Sequence, residues 1–290
     1  MNEFKILEMT ISINPTSSSH SMCFKLDNII IVKFGGSVIT QKDSSPPQVN
    51  EEHLHRIAKE LAEHDGKLIV VLGGGAHGHQ AAHKYGFANP STKPDRLIQG
   101  IPEIRHNMSV LSAKVEEVLN AEGIPSVIFS PFMFVTLQDN IIEYFPLDII
   151  ETVLNNGLVL IIHGDVCIDK KKSASILSGD TIATYLAKTM SAKSVLIGTN
   201  VDGVFETNPI LNPNAKHIPV INKSNLKLVI ERTGPSSSID VTGGMAKKIK
   251  ELLTLANHNV EVTIFNLLVP GRLSDLLKGN PTICTKIQKN

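Results

Sequence analysis

The chain has 290 residues, a formal net charge of zero and a hydrophobic content of 42%. A chain of this length and composition can bury a full core, as one large α/β domain or as two lobes. Because its basic residues are scattered and balanced by acidic ones, we expect no nucleic acid as a partner, and phosphate chemistry must depend on a few placed lysines. The three cysteines lie far apart without a C-x-x-C pair, which favours a reducing, cytoplasmic location.

The amino-terminal residues 1–26 mix charged residues with a polar run at residues 16–19 and lack the continuous apolar segment of a signal peptide. We expect this segment to be a disordered extension, with an interaction arm as the alternative. No later apolar run approaches the length of a membrane-spanning helix, so we expect no membrane partner.

Two runs rich in β-branched residues, at residues 28–34 and 67–72, end in glycine and precede segments with apolar residues at helical spacing. Continuous apolar strands that alternate with helices predict an α/β fold with three αβα layers and a mainly parallel open sheet. Further strands are predicted at residues 126–129, 158–162, 194–198, 260–265 and 282–287, and helices near 102–121, 147–155, after Asp180 and from near Thr242.

Two segments interrupt this alternation and predict β-hairpins. The first spans residues 134–145 and turns at Asp139 and Asn140, and the second spans residues 166–177 and turns at residues 170–172. We expect the hairpins to form a lid over the strand ends. Residues 200–216 are rich in asparagine and proline and are expected to form a loop.

The segment at residues 71–79 is the most informative part of the chain. A hydrophobic strand runs into Gly73, Gly74 and Gly75, and Gly78 and His79 follow at the start of a predicted helix. Glycines let backbone N–H groups approach an anion, the helix start adds a positive dipole end, and an imidazole can add a positive charge. The segment therefore predicts a phosphate site.

Two other interpretations of this segment are less favoured. Its glycines match the dinucleotide fingerprint G-x-G-x-x-G, but that motif normally follows the first strand, where this chain has a lysine-glycine turn. A dehydrogenase is therefore disfavoured. His77, His79 and His83 could supply metal ligands, but no carboxylate or cysteine lies nearby in sequence to complete a zinc shell. We predict no protein metal site.

Several glycine-containing turns follow the predicted strands, and in a parallel sheet such turns converge on one crevice. Lys247 and Lys248 lie near the start of a late helix, where lysines oppose the helix dipole unless an anion binds there; a solvated helical face is the alternative. Lysines and backbone donors suit phosphoryl transfer, which needs mostly positioning and cations. The P-loop motif and the protein-kinase motifs are absent, so a third kinase architecture is required.

Five motifs in order carry a resemblance to a known family. They are KFGGS at residues 33–37, the glycine turn that ends in Gly78 and His79, SGD at 178–180, VDGVF at 201–205 and DVTGG at 240–244. Together they resemble the amino-acid kinase superfamily and, within it, the isopentenyl phosphate kinases. The resemblance implies the amino-acid kinase fold with β-hairpin lid elements, a homodimer, and ATP and Mg²⁺ as phosphoryl donor and cofactor. It also implies one kinase domain over residues 27–290, with a phosphate-acceptor lobe at about 27–190 and a nucleotide-binding lobe at about 191–290.

The resemblance also assigns residue roles. Lys33 and Lys248 would bracket the transferring phosphoryl group, Asp180 would hold both lysines, and His79 would complete the catalytic set; whether Lys247 exchanges roles with Lys248 stays open. The implied ATP-binding residues are Lys33, Gly35, Gly36, Ser37, Lys42, Thr199, Asp202, Gly203, Val204, Phe205, Gly243, Gly244, Lys247 and Lys248. The implied substrate-binding residues are Gly74, Gly75, Ala76, Gly78, His79, Gly164, Asp165 and Gly179.

His79 distinguishes between classes of acceptor substrate. Relatives that phosphorylate carboxylates share the glycines but lack this histidine, whereas isopentenyl phosphate kinases and the related fosfomycin kinases have it. A phosphate monoester is largely dianionic near neutral pH, so it needs a cation rather than a general base. We expect a small phosphate substrate, namely isopentenyl phosphate converted to isopentenyl diphosphate for isoprenoid synthesis. The alternative acceptors are another small phosphate or a phosphonate such as fosfomycin, and the alternative function is a non-catalytic nucleotide-binding regulator. For His79, the alternative is a histidine that only caps the start of the helix.

The chain departs from the family pattern at a few positions. Where relatives commonly read HGGGSFGH, this chain has Leu72, Ala76 and His77, and Asn200 replaces a usual aspartate. We expect Ala76 and His77 to lie beside the acceptor phosphate, so these departures concern the identity of the acceptor. Apolar residues of the long helix and the segment after it could wall a prenyl tail, although plain core is the favoured interpretation. These residues are Ile104, Met108, Leu111, Phe132 and Phe134.

Overall fold

A computed structural model describes residues 28–41, 44–233 and 244–289, with the backbone alone at residue 233 and over residues 244–247. The predicted amino-terminal extension, Lys42 and Gly243 lie outside these residues, as does the side chain of Lys247. Over the described residues, no helix is both long and apolar enough to cross a membrane.

The strands of the described chain are β1 (Ile30–Phe34), β2 (Thr40–Gln41), β3 (Gln48–Val49), β4 (Leu68–Leu72), β5 (Ser126–Phe129), β6 (Thr136–Gln138), β7 (Ile141–Tyr144), β8 (Val159–His163), β9 (Asp165–Asp169), β10 (Ser173–Leu177), β11 (Ser194–Thr199), β12 (Val204–Phe205), β13 (His217–Ile218), β14 (Val220–Ile221), β15 (Glu261–Asn266) and β16 (Cys284–Ile287). The helices are α1 (Gly36–Ile39), α2 (Glu51–Leu61), α3 (Gly75–Lys84), α4 (Pro94–Ala121), α5 (Pro131–Phe134), α6 (Leu147–Asn155), α7 (Gly179–Thr189), α8 (Leu226–Thr233), α9 (Gly244–Ala256) and α10 (Arg272–Lys278).

The central sheet has eight strands in the order β14-β16-β15-β11-β1-β4-β8-β5. Every neighbouring pair is parallel except β15 with β16, which is antiparallel. All five residues of β1 are buried, as expected for a strand inside a sheet that is covered on both faces. The predicted mainly parallel αβα fold is confirmed.

Alternate residues of β1 enter different apolar clusters. Ile31 packs in a cluster that includes buried residues of α6, α7 and α9, whereas Val32 packs in a cluster that includes residues of α2, α3 and α4. Because side chains alternate along a strand, Lys33 points to the same face as Ile31. The pleat of β1 therefore directs this lysine toward α7 and α9.

Helix α4 is longer than the sequence predicted. It begins at Pro94 rather than near Pro102, and Pro102 lies inside it. Proline suits the first helical turn, where its missing N–H would have no helical partner. The early part of the helix continues past Pro102 because it is packed: Leu97 is buried, and Gly100 lies so close to the Tyr85 ring that a Cβ at that position would meet it at 2.7 Å.

Both predicted hairpins are present and join in a second sheet of four strands, in the order β10-β9-β6-β7. The turn residues Asp139 and Asn140 both have positive φ, at 54° and 64°. The buried carboxylate of Asp169 accepts hydrogen bonds that join the two hairpin turns. Its donors are the N–H groups of Asp139, Asn140, Lys171 and Lys172 and the hydroxyl of Ser175.

The stretch predicted as a loop at residues 200–216 is irregular over most of its length. It contains the short strand β12, whose Val204 and Phe205 pair with β13. Strand β14 and helices α8 and α10 were not predicted, since each is short and lacks a strong periodic pattern.

Candidate active site

A cavity opens where β1, β4 and β8 end, between the first turns of α3 and α7. This is the crevice in which open parallel sheets bind ligands. Eight of the predicted site residues line it, together with seven others. The lining residues are Lys33, Gly73, Gly74, Gly78, His79, Ala82, Ile104, Met108, Gly164, Asp165, Ile176, Leu177, Ser178, Gly179 and Asp180.

Asp180 stands between two lysines. Lys33 Nζ lies 2.6 Å from its Oδ1 and Lys248 Nζ lies 3.7 Å from its Oδ2. Burial alone would raise the pKa of Asp180, but the charges of Lys248 and Lys33 outweigh it and lower the pKa to about 2. The aspartate is therefore ionised at neutral pH, and the three side chains together carry one net positive charge.

The first two glycine turns pack backbone against backbone. A Cβ on Gly36 would lie 2.2 Å from the nitrogen of Gly75, and a Cβ on Gly73 would lie 2.7 Å from the nitrogen of Gly36. Gly75 also has a φ of 49°, which favours glycine. These glycines are required first by the close approach of the two turns, so phosphate binding is not their only explanation.

Three of the predicted binding residues have their backbone N–H groups engaged within the protein. The N–H of Gly35 donates to the carbonyl of Gly198 at 2.9 Å, and that of Gly164 donates to the carbonyl of Leu72 at 3.0 Å. The N–H of Ala76 donates to Thr40 Oγ1 at 3.1 Å. At these three positions an anion would meet a closely packed backbone rather than a donor.

Two helices begin at the cavity. Gly74 precedes α3, and Ser178 caps α7, where its Oγ accepts from the N–H of Thr181 at 3.1 Å. His79 is half-buried in α3 and lines the cavity. Because helix starts carry a partial positive charge, both helices favour an anion between them.

His77 does not line the cavity that His79 lines, although the sequence analysis expected it beside the acceptor phosphate. It is 2% exposed and lines a separate cavity, between the β2–β3 hairpin and α4. Residues two apart in a helix lie on nearly opposite faces, so only one of these histidines can face the cavity at the strand ends. Neither ring nitrogen of His77 has a hydrogen-bond partner among the described residues, and burial lowers its pKa.

Part of the cavity lining is apolar. Ile104 and Met108 of α4 and Ile176 and Leu177 of β10 contribute to it, and Met108 lies close to the glycine turn, since a Cβ on Gly78 would be 3.2 Å from its Sδ. Of the five apolar residues considered from the sequence, these two α4 residues line the cavity, whereas Leu111 is fully buried core and Phe134 is 45% exposed. Phe132 does not line the cavity, and its ring instead stacks against the guanidinium of Arg105.

Asp165 lines the same cavity, but its carboxylate is engaged in the wall. It forms an ion pair with Arg105 of α4 and accepts from the N–H groups of Phe132 and Val166. Burial raises the pKa of Asp165, while the nearby charges of His163 and Arg105 oppose that rise. This pair joins the α4 wall of the cavity to the four-stranded sheet β10-β9-β6-β7, which we call the lid sheet. Arg105 gave no signal in the sequence.

The predicted nucleotide-binding segment, residues 199–205, begins at the end of β11, which is the strand next to β1. Thr199 is the last residue of β11, and Asp202 forms an ion pair with Arg272 at 2.6 Å. The N–H of Val204 donates to Thr285 Oγ1 at 2.8 Å, and the ring of Phe205 contacts His217 edge-on. Arg272 and Thr285 were missed by the sequence analysis, because they lie 70 and 81 positions from the residues that they contact. Ser37 and Gly244 lie in the first turns of α1 and α9.

Comparisons with known proteins agree with this geometry. A model described as the amino acid kinase family matches residues 28–266. An isopentenyl phosphate kinase of Methanothermobacter thermautotrophicus is 34% identical over 265 residues, which cover 89% of this chain and 98% of that protein. An isopentenyl phosphate kinase of Methanocaldococcus jannaschii is 36% identical over 231 residues, which cover 76% of this chain and 85% of that protein. A solved isopentenyl phosphate kinase structure, 33% identical, aligns with a TM-score of 0.78 and covers 90% of this chain and 100% of that chain.

The fold, the site and the family match define a phosphotransferase, and the chain belongs to the amino acid kinase family. Its similarity to proteins named isopentenyl phosphate kinase extends over most of its length. The narrower resemblance carried by the five motifs is therefore confirmed.

Proposed function

We propose that this protein transfers the γ-phosphoryl group of ATP to isopentenyl phosphate and forms isopentenyl diphosphate for isoprenoid synthesis. The observation that carries the proposal is the pairing of Lys33 and Lys248 on Asp180 beside the cavity that His79 lines. In the reaction, an oxygen of the acceptor phosphate bonds to the γ-phosphorus while the bond from that phosphorus to the ADP oxygen breaks. Both reactants are anions, so cations must bring them together.

Each charged residue has a distinct part in this proposal. Lys33 and Lys248 stabilise the charge that develops on the transferring group, and Asp180 keeps both ammonium groups aimed at it. His79, at the start of α3, donates to the acceptor phosphate. The apolar part of the cavity lining, with Ile104 and Met108, receives the hydrocarbon part of the acceptor.

We propose that Mg²⁺ enters with the nucleotide. Within the residues that the structure describes, no group of three histidine, cysteine or acidic side chains could hold a metal ion. Asp180, the carboxylate between the lysines, is engaged with both of them. The residues present therefore fit a cation that is held by phosphate oxygens of ATP, where it neutralises their charge.

The remaining expectations stay proposals that rest on the family. We propose a homodimer in the cytoplasm, with residues of about 27–190 binding the acceptor and residues of about 191–290 binding the nucleotide. Light scattering coupled to size-exclusion chromatography tests the dimer directly. A mass of 31.5 kDa would correspond to a monomer and would contradict it.

A coupled ADP-release assay tests the function, with ATP, Mg²⁺ and a panel of isopentenyl phosphate, dimethylallyl phosphate, fosfomycin, N-acetylglutamate and UMP. We expect the first two to be turned over far better than the carboxylate. The Lys33→Ala variant serves as the control for contaminating ATPase activity. Preferred turnover of N-acetylglutamate would overturn the acceptor class, and preferred turnover of fosfomycin would favour the phosphonate alternative. Nucleotide binding without turnover of any acceptor would indicate a regulator.

A further inference from the structure

The segment that we call the nucleotide loop, residues 200–205, is held by an arginine from the carboxyl-terminal part of the chain. Arg272 Nη1 lies 2.6 Å from Asp202 Oδ1, and Asn266 Nδ2 donates to the same oxygen at 3.0 Å. The Arg272 side chain is only 12% exposed, whereas that of Asp202 is 36% exposed. Although partial burial opposes ionisation, these hydrogen bonds lower the pKa of Asp202 below its usual value. The guanidinium is therefore a fixed part of the structure beneath the loop.

A second contact fixes the backbone of the nucleotide loop. The N–H of Val204 donates to the buried hydroxyl of Thr285, and Gly203 has a φ of 144°. A Cβ at Gly203 would lie 2.4 Å from Thr285 Oγ1. The loop is therefore attached at two points, through Val204 to Thr285 in β16 and through Asp202 to Arg272.

Arg272 is itself held in place by helix α2. It is the first residue of α10, and the carboxylate of Glu60 in α2 caps the start of that helix. Glu60 Oε2 accepts from the N–H groups of Leu273 at 3.1 Å and Ser274 at 3.3 Å, and Oε1 accepts from Gly271 at 3.0 Å. A carboxylate at a helix start satisfies N–H groups that have no helical partner and interacts favourably with the dipole.

Helix α2 also contacts the phosphate end of the site. His53, in its first turn, lies with Nδ1 3.2 Å from the carbonyl oxygen of Val38 in α1, and α1 begins at Gly36. Arg56, one turn further on, forms a 2.5 Å ion pair with Glu60. One helix therefore connects the lysine-glycine turn to the support beneath the nucleotide loop.

We infer that Arg272 and Glu60 are positioning residues for ATP: Arg272 holds Asp202 and the nucleotide loop, and Glu60 holds the start of α10 so that Arg272 reaches it. The inference rests on the proposed function for the identity of the nucleotide. Neither residue is assigned to the phosphoryl-transfer step. Their loss should therefore weaken nucleotide binding while the chemical step and acceptor binding continue.

The experiment compares Arg272→Gln, Arg272→Lys, Glu60→Gln and the double variant Arg272→Gln/Glu60→Gln with the full-length wild type. Titration calorimetry with the magnesium complex of a non-hydrolysable ATP analogue measures nucleotide binding without any acceptor. We expect Arg272→Gln to weaken binding about 10-fold or more, as for a lost charged hydrogen bond, and Arg272→Lys to restore part of it. Glu60→Gln should act in the same direction. Because both substitutions act through one contact, the loss of binding in the double variant should be smaller than the sum of the losses in the two single variants.

Steady-state kinetics supplies the second measurement. We expect the KM for ATP to rise with the dissociation constant, while kcat and the KM for isopentenyl phosphate stay within about two-fold, because the affected contact lies away from the reacting groups. The matched control is Arg232→Gln, which breaks an exposed pair with Glu206 and should change neither quantity.

The outcomes are distinguishable. Failure of the wild-type protein to bind the ATP analogue would overturn the proposed function. If the wild type binds the ATP analogue and Arg272→Gln and Glu60→Gln bind it with the same affinity, only this inference is overturned. An equal loss in kcat and in both KM values, with no restoration by Arg272→Lys, would indicate a general structural role and would also overturn it. If Arg272→Gln does not fold, Arg272→Lys and Glu60→Gln decide by the same criteria.

Discussion

Lys33 and Asp180 approach to 2.6 Å although both side chains are largely buried. Lys33 leaves β1 on the face covered by α7, and Asp180 stands in the first turn of that helix, where the dipole stabilises a carboxylate. Lys248 adds a second cation 3.7 Å from the other carboxylate oxygen. The Lys33 side chain is 7% exposed and that of Lys248 is 20% exposed, and with the one aspartate they sum to a single positive charge, which suits a phosphoryl group in transfer.

The first prediction concerns the two lysines. Lys33→Ala and Lys248→Ala should each lower kcat by roughly 10²–10³, as for the loss of one preorganised donor to the transition state. The assay is ADP release at saturating ATP and isopentenyl phosphate. Lys188→Ala is the matched control, because Lys188 is exposed on the same helix as Asp180 and should leave kcat unchanged. Full activity of both site variants would show that neither lysine stabilises the transferring group.

Sequence signals predicted the phosphate end of this site because they are local. A glycine immediately after a buried strand marks a turn, and parallel strands bring their carboxyl ends to one edge of the sheet. That reasoning places Lys33, Gly74 and Asp180 together without any information on distant contacts, and the structure does bring them to one cavity. The same reasoning expected His77 beside the acceptor phosphate, because it did not take into account that residues two apart in α3 lie on nearly opposite faces.

The supports of the site could not be predicted in this way. Arg272 and Asp202 are 70 positions apart, and Glu60 and Leu273 are 213 apart, so no spacing rule connects them. Arg105 stands in a long helix with many other polar residues, and nothing in its neighbourhood marks Asp165, 60 positions away, as its partner. Such pairs form only after the layers have packed, and their signal lies in three dimensions.

The second prediction concerns His79. If its imidazole donates to the acceptor phosphate, His79→Ala should lower kcat/KM for isopentenyl phosphate by about 10²-fold or more, since a charge-assisted contact is lost at the reacting group. The affinity for ATP should barely change, because Lys33 and Lys248 remain. His83→Ala, which removes an exposed histidine from the same helix, is the control. Equal losses of ATP binding and acceptor turnover in His79→Ala would identify a structural histidine.

The third prediction concerns the lid sheet. Hydrogen bonds from Asn140, Lys171 and their neighbours outweigh the effect of burial and lower the pKa of Asp169 to about 2. A depressed pKa stabilises the fold above the pKa of the unfolded chain, near 4, and this contribution is lost as the pH falls through 2. Asp169→Asn should therefore cost about 2 kcal/mol at pH 7 and less near pH 2.

Urea unfolding at a series of pH values measures this difference for the lid variant. Asp65→Asn, at an exposed position, is the control and should leave the free energy of unfolding unchanged. A constant difference between Asp169→Asn and the wild type from pH 7 to pH 2 would show that the carboxylate charge is not what joins the hairpin turns.

The last prediction concerns His77, whose ring is buried with both nitrogens lacking partners among the described residues. Phenylalanine, the residue common in relatives, removes these polar atoms, and the neighbouring cavity gives space for the larger ring. His77→Phe should raise the free energy of unfolding by about 1 kcal/mol and retain kinase activity. Burial lowers the pKa of His77, so the unfolded chain takes up the proton more readily and the wild type loses stability as the pH falls below about 6.5. The gain in melting temperature should therefore be larger at pH 5.5 than at pH 8, as thermal unfolding at both values will measure. A loss of activity in His77→Phe while His79→Ala stays active would show that His77 is the imidazole that serves the acceptor.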